Sequence, residues 1–186
     1  MVLTESFSLK IGTPAPDFNL RGVDLQNYSL ENFSDAKILV VIFMCNHCPY
    51  VQAVWARLIE LQKKYAEKSV RFVGINSNIN PDYPEDSFEN MQKYYHDYGM
   101  NFPYLEDKTQ DVARNYFAKC TPDIFVYDEQ RKLIYHGRID DNWKNADMVT
   151  RHDLDDAISA YLSHGKIIEE QFPSMGCSIK WLANLE

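Results

Sequence analysis

The sequence predicts an α/β fold in which helices flank a central mixed sheet. Residues 37–44, KILVVIFM, form a continuous apolar run that is typical of a strand buried on both faces. Apolar side chains then recur at helical spacing as far as about residue 68, and a second apolar run follows at residues 70–76. Because strand–helix–strand units cross over in the right-handed sense, we expect these two strands to be parallel neighbours.

The pattern downstream predicts three more helices and a hairpin. The helices are expected over residues 86–98, near residues 109–117 and at about residues 153–163. Two apolar segments, residues 123–127 and 132–136, flank a polar DEQR turn and indicate antiparallel strands.

We expect a single domain over residues 1–186, with a core that spans about residues 10–163. The tail, residues 164–186, is expected to pack on the body because its apolar side chains would otherwise be exposed. Those side chains are Ile167, Ile168, Phe172 and Trp181.

Composition limits the possible partners and the compartment. The net charge of −8, without a basic cluster, argues against nucleic acid. The N-terminus lacks the pattern of a signal peptide, and no apolar run is long enough to span a bilayer, so we expect a cytoplasmic protein without a membrane partner. In that compartment a close cysteine pair is typical of a catalytic or metal-binding site rather than a structural crosslink.

The pair in question, Cys45-Asn46-His47-Cys48, follows the first predicted strand and precedes a helix. Cys45 is expected to face the positive end of that helix, which would lower the pKa of its thiol. Cys48 can close a disulfide within one turn. An imidazolium at His47 would stabilise the thiolate, so we predict a reduction potential above about −270 mV, the thioredoxin value.

The cysteine pair has two other interpretations, as half of a zinc site or as two unreactive core thiols. A zinc site needs four ligands, usually from a second pair at matching spacing, whereas Cys120 and Cys177 stand alone. Two unreactive core thiols would not require the strand–CxxC–helix context. We therefore predict a redox centre, with no metal and no cofactor.

With these residues, the chain resembles the thioredoxin-like superfamily, in the redoxin branch related to alkyl hydroperoxide reductase and thiol-specific antioxidant proteins. Residues 12–18, GTPAPDF, are similar to the G-x-x-A-P-x-F opening of that branch. Thr121 and Pro122 fall where the superfamily has its cis-proline loop. The resemblance covers about residues 10–163. It implies a thioredoxin-like fold with an insert before the cis-proline loop and an extra C-terminal tail.

The resemblance also implies an enzyme, a thiol–disulfide oxidoreductase. Cys45 would attack a substrate disulfide, Cys48 would resolve the mixed disulfide, and the Thr121-Pro122 loop would hold the substrate chain. The implied partners are protein disulfides or dithiols, or low-molecular-weight thiols, together with a reductase or thiol donor.

Two positions depart from the thioredoxin pattern. Met44 replaces the tryptophan that usually precedes the first cysteine, and Leu39 stands where a buried carboxylate is expected. Proton transfer would then depend on His47, on water or on a residue folded in from elsewhere.

The alternatives are a peroxiredoxin-like peroxidase, with Cys48 as the peroxidatic cysteine, and a non-enzymatic redox sensor or binding module. Val41 and Cys45 stand where the peroxidase motif has proline and threonine, which disfavours a peroxidase. Cys120 and Cys177 are candidates for additional redox roles. Cys120 is equally well explained as a buried apolar residue, and for Cys177 we favour an anchor for the tail.

Overall fold

The structure is a computed structural model that describes residues 3–182. Within this range the chain forms ten β-strands and four α-helices. In chain order these are β1 (Leu3–Glu5), β2 (Leu20–Gly22), β3 (Asn27–Tyr28), β4 (Ile38–Phe43), α1 (Pro49–Tyr65), β5 (Val70–Asn76), α2 (Phe88–Asp97), β6 (Tyr104–Glu106), α3 (Asp111–Asn115), β7 (Cys120–Thr121), β8 (Asp123–Tyr127), β9 (Leu133–Gly137), α4 (Asp153–His164) and β10 (Met175–Ser178).

Seven of the described strands form one mixed sheet, in the order β3-β2-β6-β5-β4-β8-β9. Strands β4, β5 and β6 are parallel, whereas β8 is antiparallel to β4 and β9 is antiparallel to β8. Every residue of β4 is buried, as the continuous apolar run predicts for a central strand. The predicted α/β class with a mixed central sheet is confirmed, and so is the parallel pairing of β4 with β5.

The helices lie close to their predicted positions, and each difference at an end has a local cause. α1 stops early because the chain tightens into a 3-10 turn over Ala66–Lys68. α2 begins late because Pro84–Asp86 forms its own 3-10 turn, after which Ser87 caps the helix. α3 is short, and Phe117 beyond it adopts a positive φ of 56°. Gly165, at a φ of 61°, ends α4 as glycine commonly does.

Alternate residues of β4 enter two different cores. Ile38, Val40 and Ile42 pack on the side that carries α1 and both motif cysteines. Leu39 packs on the opposite side, in a cluster that includes Phe43. Leu39 therefore belongs to the core that the cysteine pair does not share.

The C-terminal tail folds back as β10 and pairs with β1 and β7. These three described strands form an antiparallel sheet in the order β1-β10-β7. Phe172 lies beneath the guanidinium groups of Arg138 and Arg151. Ile167 and Trp181 nevertheless remain 37% and 38% exposed, so the burial expected for the tail's apolar side chains is only partial. Within residues 3–182, no helix has the length and apolar character needed to cross a membrane.

Candidate active site

The two motif cysteines lie where β4 ends and α1 begins. Cys48 is the N-cap residue of α1, and Pro49 takes the first helical position, where its missing N–H costs nothing. Cys45 follows Met44, whose backbone N–H still donates to the carbonyl of Ile75 over 2.9 Å. Both motif sulfurs belong to fully buried residues. The structure thus brings together the strand, the CxxC motif and the helix in the expected order.

A carboxylate that the sequence analysis did not single out, Asp86, lies beside the motif. It is fully buried at the end of the 3-10 turn that precedes α2. One of its oxygens accepts hydrogen bonds from the backbone N–H groups of Asn46 (2.6 Å) and His47 (3.4 Å), and the other contacts Nδ1 of His47. That Nδ1 lies 3.9 Å from Sγ of Cys45. The segment between β5 and α2 therefore supplies a carboxylate that pairs with His47 next to the first sulfur.

This pair favours a charged imidazole. The hydrogen bond to Asp86 raises the pKa of His47, and burial only partly opposes it. The imidazolium that the sequence analysis proposed at His47 is thus favoured by the fold. Its positive charge is, however, largely offset by the adjacent carboxylate.

Asn46, the other intervening residue, holds the motif in place rather than reacting. Its side-chain oxygen accepts a hydrogen bond from the Tyr104 hydroxyl (3.0 Å), and its amide donates to the carbonyl of Glu85 (2.9 Å). The Gln52 side chain donates to the Asn46 carbonyl over 2.7 Å. These bonds fix the motif to β6, to the insert and to α1.

The predicted cis-proline loop packs against both sulfurs. The Thr121–Pro122 peptide bond is cis, as the resemblance implies. The Thr121 hydroxyl oxygen lies 3.5 Å from Sγ of Cys45, and the Thr121 carbonyl, 3.1 Å from Sγ of Cys48, accepts a hydrogen bond from the thiol form of Cys48. Thr121 therefore contacts each member of the pair through a different group.

The predicted lowering of the Cys45 pKa is wrong for the folded chain. Burial raises the pKa of this thiol well above its ordinary value, and the Cys48 sulfur and the Asp86 carboxylate raise it further. The N-terminus of α1 does not stabilise a thiolate at Cys45 as expected, because the residue at the N-cap position is Cys48, three residues later.

The negative charge is favoured on Cys48 instead. Hydrogen bonds from the thiols of Cys177 and Cys45 are the main causes of a lowered Cys48 pKa, and burial opposes them. The Thr121 side chain adds to the stabilisation, and Cys48 lies at the N-cap of α1, where its side chain makes no capping hydrogen bond. The helix terminus and two neighbouring thiols thus converge on the second sulfur.

The two remaining cysteines occupy different places. Cys177 lies in β10 opposite Thr121, and its thiol forms a hydrogen bond with the Cys48 sulfur. This bond and burial raise the pKa of the Cys177 thiol, and its role as an anchor for the tail stays a prediction. Cys120 is fully buried, and its thiol is 3.6 Å from the carbonyl of Pro122. Burial raises the pKa of the Cys120 thiol, which fits the interpretation as a small apolar residue.

The two departures noted in the sequence also have structural counterparts. Met44 is fully buried, and its sulfur would lie 2.7 Å from a Cβ built on Gly74, so the glycine makes room for it. Met44 therefore packs inside the protein instead of facing a partner. Leu39 stands where a buried carboxylate was expected. The carboxylate near the motif is instead that of Asp86, which comes from a different part of the chain.

Among the described residues, Cys45, His47 and Asp86 form a group that could ligate a metal ion, with ligand atoms within 4.8 Å of one another. This group was not predicted, because a zinc site was expected to show itself as a second cysteine pair in the sequence. Three ligands with an open position resemble catalytic rather than structural zinc sites. In this structure two members of the group, His47 and Asp86, contact each other through Nδ1 and one carboxylate oxygen.

An apolar groove lies next to the motif. It has a volume of about 490 Å³, and its lining includes Ile79, Pro81 and Tyr83. The ring of Tyr83 stacks on that of His47, with a centroid distance of 5.2 Å. Tyr83 is thus shared by the groove and the site, and the groove offers a surface beside the buried sulfurs.

Comparison with known proteins shows the family to which the chain belongs. Residues 11–136 match the model of the AhpC/TSA family. A hypothetical protein from Sinorhizobium meliloti 1021 is 40% identical, with a TM-score of 0.92 over 97% of this chain and 99% of its own. An uncharacterised conserved protein from Geobacillus kaustophilus is 43% identical, with a TM-score of 0.93 over 98% and 97%.

A relative with a named activity is also found. The thiol-disulfide oxidoreductase ResA of Bacillus thuringiensis subsp. konkukian (strain 97-27) is 24% identical, over 70% of this chain and 71% of ResA. Such relatives support a redox function in general terms. The chain belongs to the AhpC/TSA family, within the redoxin branch of the thioredoxin-like superfamily, which confirms the resemblance stated from the sequence.

Proposed function

From that membership and the surroundings of the two sulfurs, we propose that the chain is a thiol–disulfide oxidoreductase that uses Cys45 and Cys48. The observation that carries the proposal is the position of Cys48 at the N-cap of α1, where it also receives hydrogen bonds from the thiols of Cys45 and Cys177, which favours a thiolate there. The thiolate is the form of cysteine that attacks a disulfide.

The first step is attack by the Cys48 thiolate on a substrate disulfide. A bond forms between the Cys48 sulfur and one substrate sulfur, the substrate disulfide breaks, and the other substrate sulfur leaves as a thiolate that takes up a proton. This assignment reverses the roles implied by the family resemblance, in which Cys45 attacks first.

In the second step Cys45 resolves the mixed disulfide. The Cys45 thiol loses its proton and attacks the Cys48 sulfur, so that an intramolecular disulfide forms and the second substrate thiol leaves with a proton. The imidazolium of His47, whose Nδ1 lies 3.9 Å from Sγ of Cys45, stabilises the transient thiolate. The products are two substrate thiols and an oxidised pair, which a thiol donor or reductase must reduce.

The test is reduction of insulin disulfides by the full chain in the presence of dithiothreitol. We expect turnover in the wild type and loss of turnover to the uncatalysed rate in Cys45→Ser and in Cys48→Ser. Cys120→Ser is the matched control, because Cys120 is a buried cysteine outside the CxxC motif, and it should remain active. Undiminished turnover in Cys48→Ser would overturn the proposed mechanism.

A second candidate function is thiol peroxidase activity, and the lowered pKa of Cys48 is the observation that favours it. In that mechanism the Cys48 thiolate attacks the peroxide and becomes a sulfenic acid, which Cys45 condenses to a disulfide with loss of water. Hydrogen peroxide consumption with a thiol reductant distinguishes the two functions. Rapid peroxide turnover without insulin reduction would favour the peroxidase.

The proposed substrates are protein disulfides or dithiols and low-molecular-weight thiols, and the proposed compartment is the cytoplasm. Fractionation of the cells that naturally produce the protein tests the compartment. The potential above about −270 mV stays a prediction, to be measured by equilibration with glutathione. A lower value would show that Asp86 cancels the effect of the His47 charge.

A further inference from the structure

The C-terminal strand lies where the family's substrate chain is expected. β10 pairs with β7 in antiparallel fashion, and Cys177 stands directly opposite Thr121 of the cis-proline loop. Sequence analysis assigned that loop to binding an extended substrate. In this structure β10, a segment of the same chain, pairs with the backbone of that loop.

The approach of β10 to the loop is unusually close at one residue. A Cβ placed on Gly176 would lie 2.0 Å from the carbonyl oxygen of Thr121 and 3.3 Å from the nitrogen of Pro122. Only glycine fits there without a shift of the backbone. Gly176 therefore allows the next residue, Cys177, to reach the pair.

Cys177 reaches Cys48 specifically. Its thiol donates a hydrogen bond to the Cys48 sulfur, and both residues are fully buried in the same core cluster. Cys48 also contacts the carbonyl of Thr121, the residue paired with Cys177. A hydrogen bond between two thiols brings their sulfurs close together, and a disulfide between them requires Cα atoms about 4.4–6.8 Å apart.

We infer that Cys177 is a third redox cysteine, which replaces Cys45 as the disulfide partner of Cys48 and so acts as a built-in substrate of the site. The inference rests on the proposed function, because it needs a disulfide at Cys48. It assigns to β10 a chemical role in addition to its structural one. It also gives a reason why Gly176 and Cys177 are adjacent in β10, the central strand of the three-stranded sheet.

The step is a thiol–disulfide exchange and needs no added oxidant. The Cys177 thiol loses its proton, and its sulfur attacks the Cys48 sulfur of the Cys45–Cys48 disulfide. A Cys48–Cys177 bond forms, the Cys45–Cys48 bond breaks, and Cys45 leaves as a thiolate that accepts a proton. When Cys48 carries a mixed disulfide, the same attack releases the bound thiol instead.

The experiment uses glutathione disulfide as the probe on two full-length variants. The first, Cys45→Ser/Cys120→Ser, keeps only Cys48 and Cys177, and the second also carries Cys177→Ser. In the first we expect release of two glutathione thiols per chain, no retained glutathione, and a Cys48–Cys177 crosslink in peptide mass spectra. In the second we expect one released thiol and a stable glutathione adduct on Cys48.

The outcomes separate this inference from the proposed function. If both variants retain glutathione on Cys48, the function stands and the role of Cys177 is overturned. If neither variant reacts with glutathione disulfide, although circular dichroism shows both folded, the proposed function fails and the inference fails with it. Adding Gly176→Ala to the first variant is a further check, because it leaves the Cys177 thiol intact but pushes β10 away. Glutathione should then be retained, and a normal crosslink would contradict the inference.

Discussion

The two sulfurs of the CxxC motif are three residues apart, yet their surroundings differ in kind. Cys45 faces His47 of the motif and the buried carboxylate of Asp86, which lies between β5 and α2. Cys48 faces the helix terminus, the cis-proline loop and the C-terminal strand. The carboxylate and burial raise the pKa of Cys45, whereas hydrogen-bond donors lower that of Cys48. Reactivity within the motif is therefore set by which distant segments fold onto each sulfur.

The largest expected effect breaks this asymmetry directly. In Cys45→Ser a thiolate on Cys48 should persist far below about pH 8.5, the ordinary pKa of a thiol. Cys48 keeps its hydrogen bond from Cys177 in this variant, and the serine hydroxyl can replace the one from Cys45. In Cys48→Ser no thiolate should form until the pH is well above that value. Ultraviolet absorbance of the thiolate, followed against pH, measures both. Equal titrations in the two variants would contradict the assignment of the charge to Cys48.

A smaller effect is expected from Asp86→Asn, on the other side of the motif. The asparagine oxygen can still accept the backbone N–H groups, but the pKa of His47 should fall because its charged partner is gone. A raised histidine pKa in the folded state stabilises the protein below the unfolded value of about 6.5, and this stabilisation is lost as the pH rises through the folded value.

The unfolding free energy of the wild type should therefore decrease from about pH 6.5 upwards, and that of Asp86→Asn should vary less over the same range. Urea denaturation at a series of pH values measures the difference. The NMR titration of the His47 ring gives an independent reading. A His47 pKa that is the same in both proteins would show that Asp86 does not control it.

The smallest expected effect comes from Thr121→Val, which keeps the shape of the side chain but removes the hydroxyl. That hydroxyl lies 3.5 Å from the Cys45 sulfur and lowers the Cys45 pKa. A hydrogen bond of this kind contributes about 0.5–1.5 kcal/mol, so the pKa should rise by at most about one unit. Thr121→Ser, which keeps the hydroxyl, is the control. The rise is measured by the pH dependence of thiol alkylation, and a fall in pKa would be contrary to this account.

Much of the fold was predictable because its signals are local. The strand at residues 70–76 coincides with β5, and the apolar run at residues 37–44 contains β4, since buried central strands have continuous apolar sequences. The short strands β1, β7 and β10 were not predicted. They have two to four residues each, and their pairing partners are distant in the chain, so no periodicity marks them.

The site was predictable only in part for the same reason. The CNHC motif and the position of the Thr121-Pro122 loop follow from the sequence, because a motif and its flanking elements are contiguous. Asp86 was missed, since nothing in PEDS distinguishes a buried carboxylate from an ordinary helix-start residue. Its position behind the motif depends on how the insert folds back from β5.

The amino-acid sequence thus determines which residues are candidates for the proposed disulfide exchange, because the two thiols and the strand-to-helix turn lie in one short segment. Which thiol holds the charge, and which third cysteine lies against it, depends on tertiary contacts. Those contacts join residues 45–48 to Asp86, to Thr121 and to Cys177, across separations that local sequence cannot encode. Burial and hydrogen bonding act over a few ångströms in space, irrespective of distance along the chain.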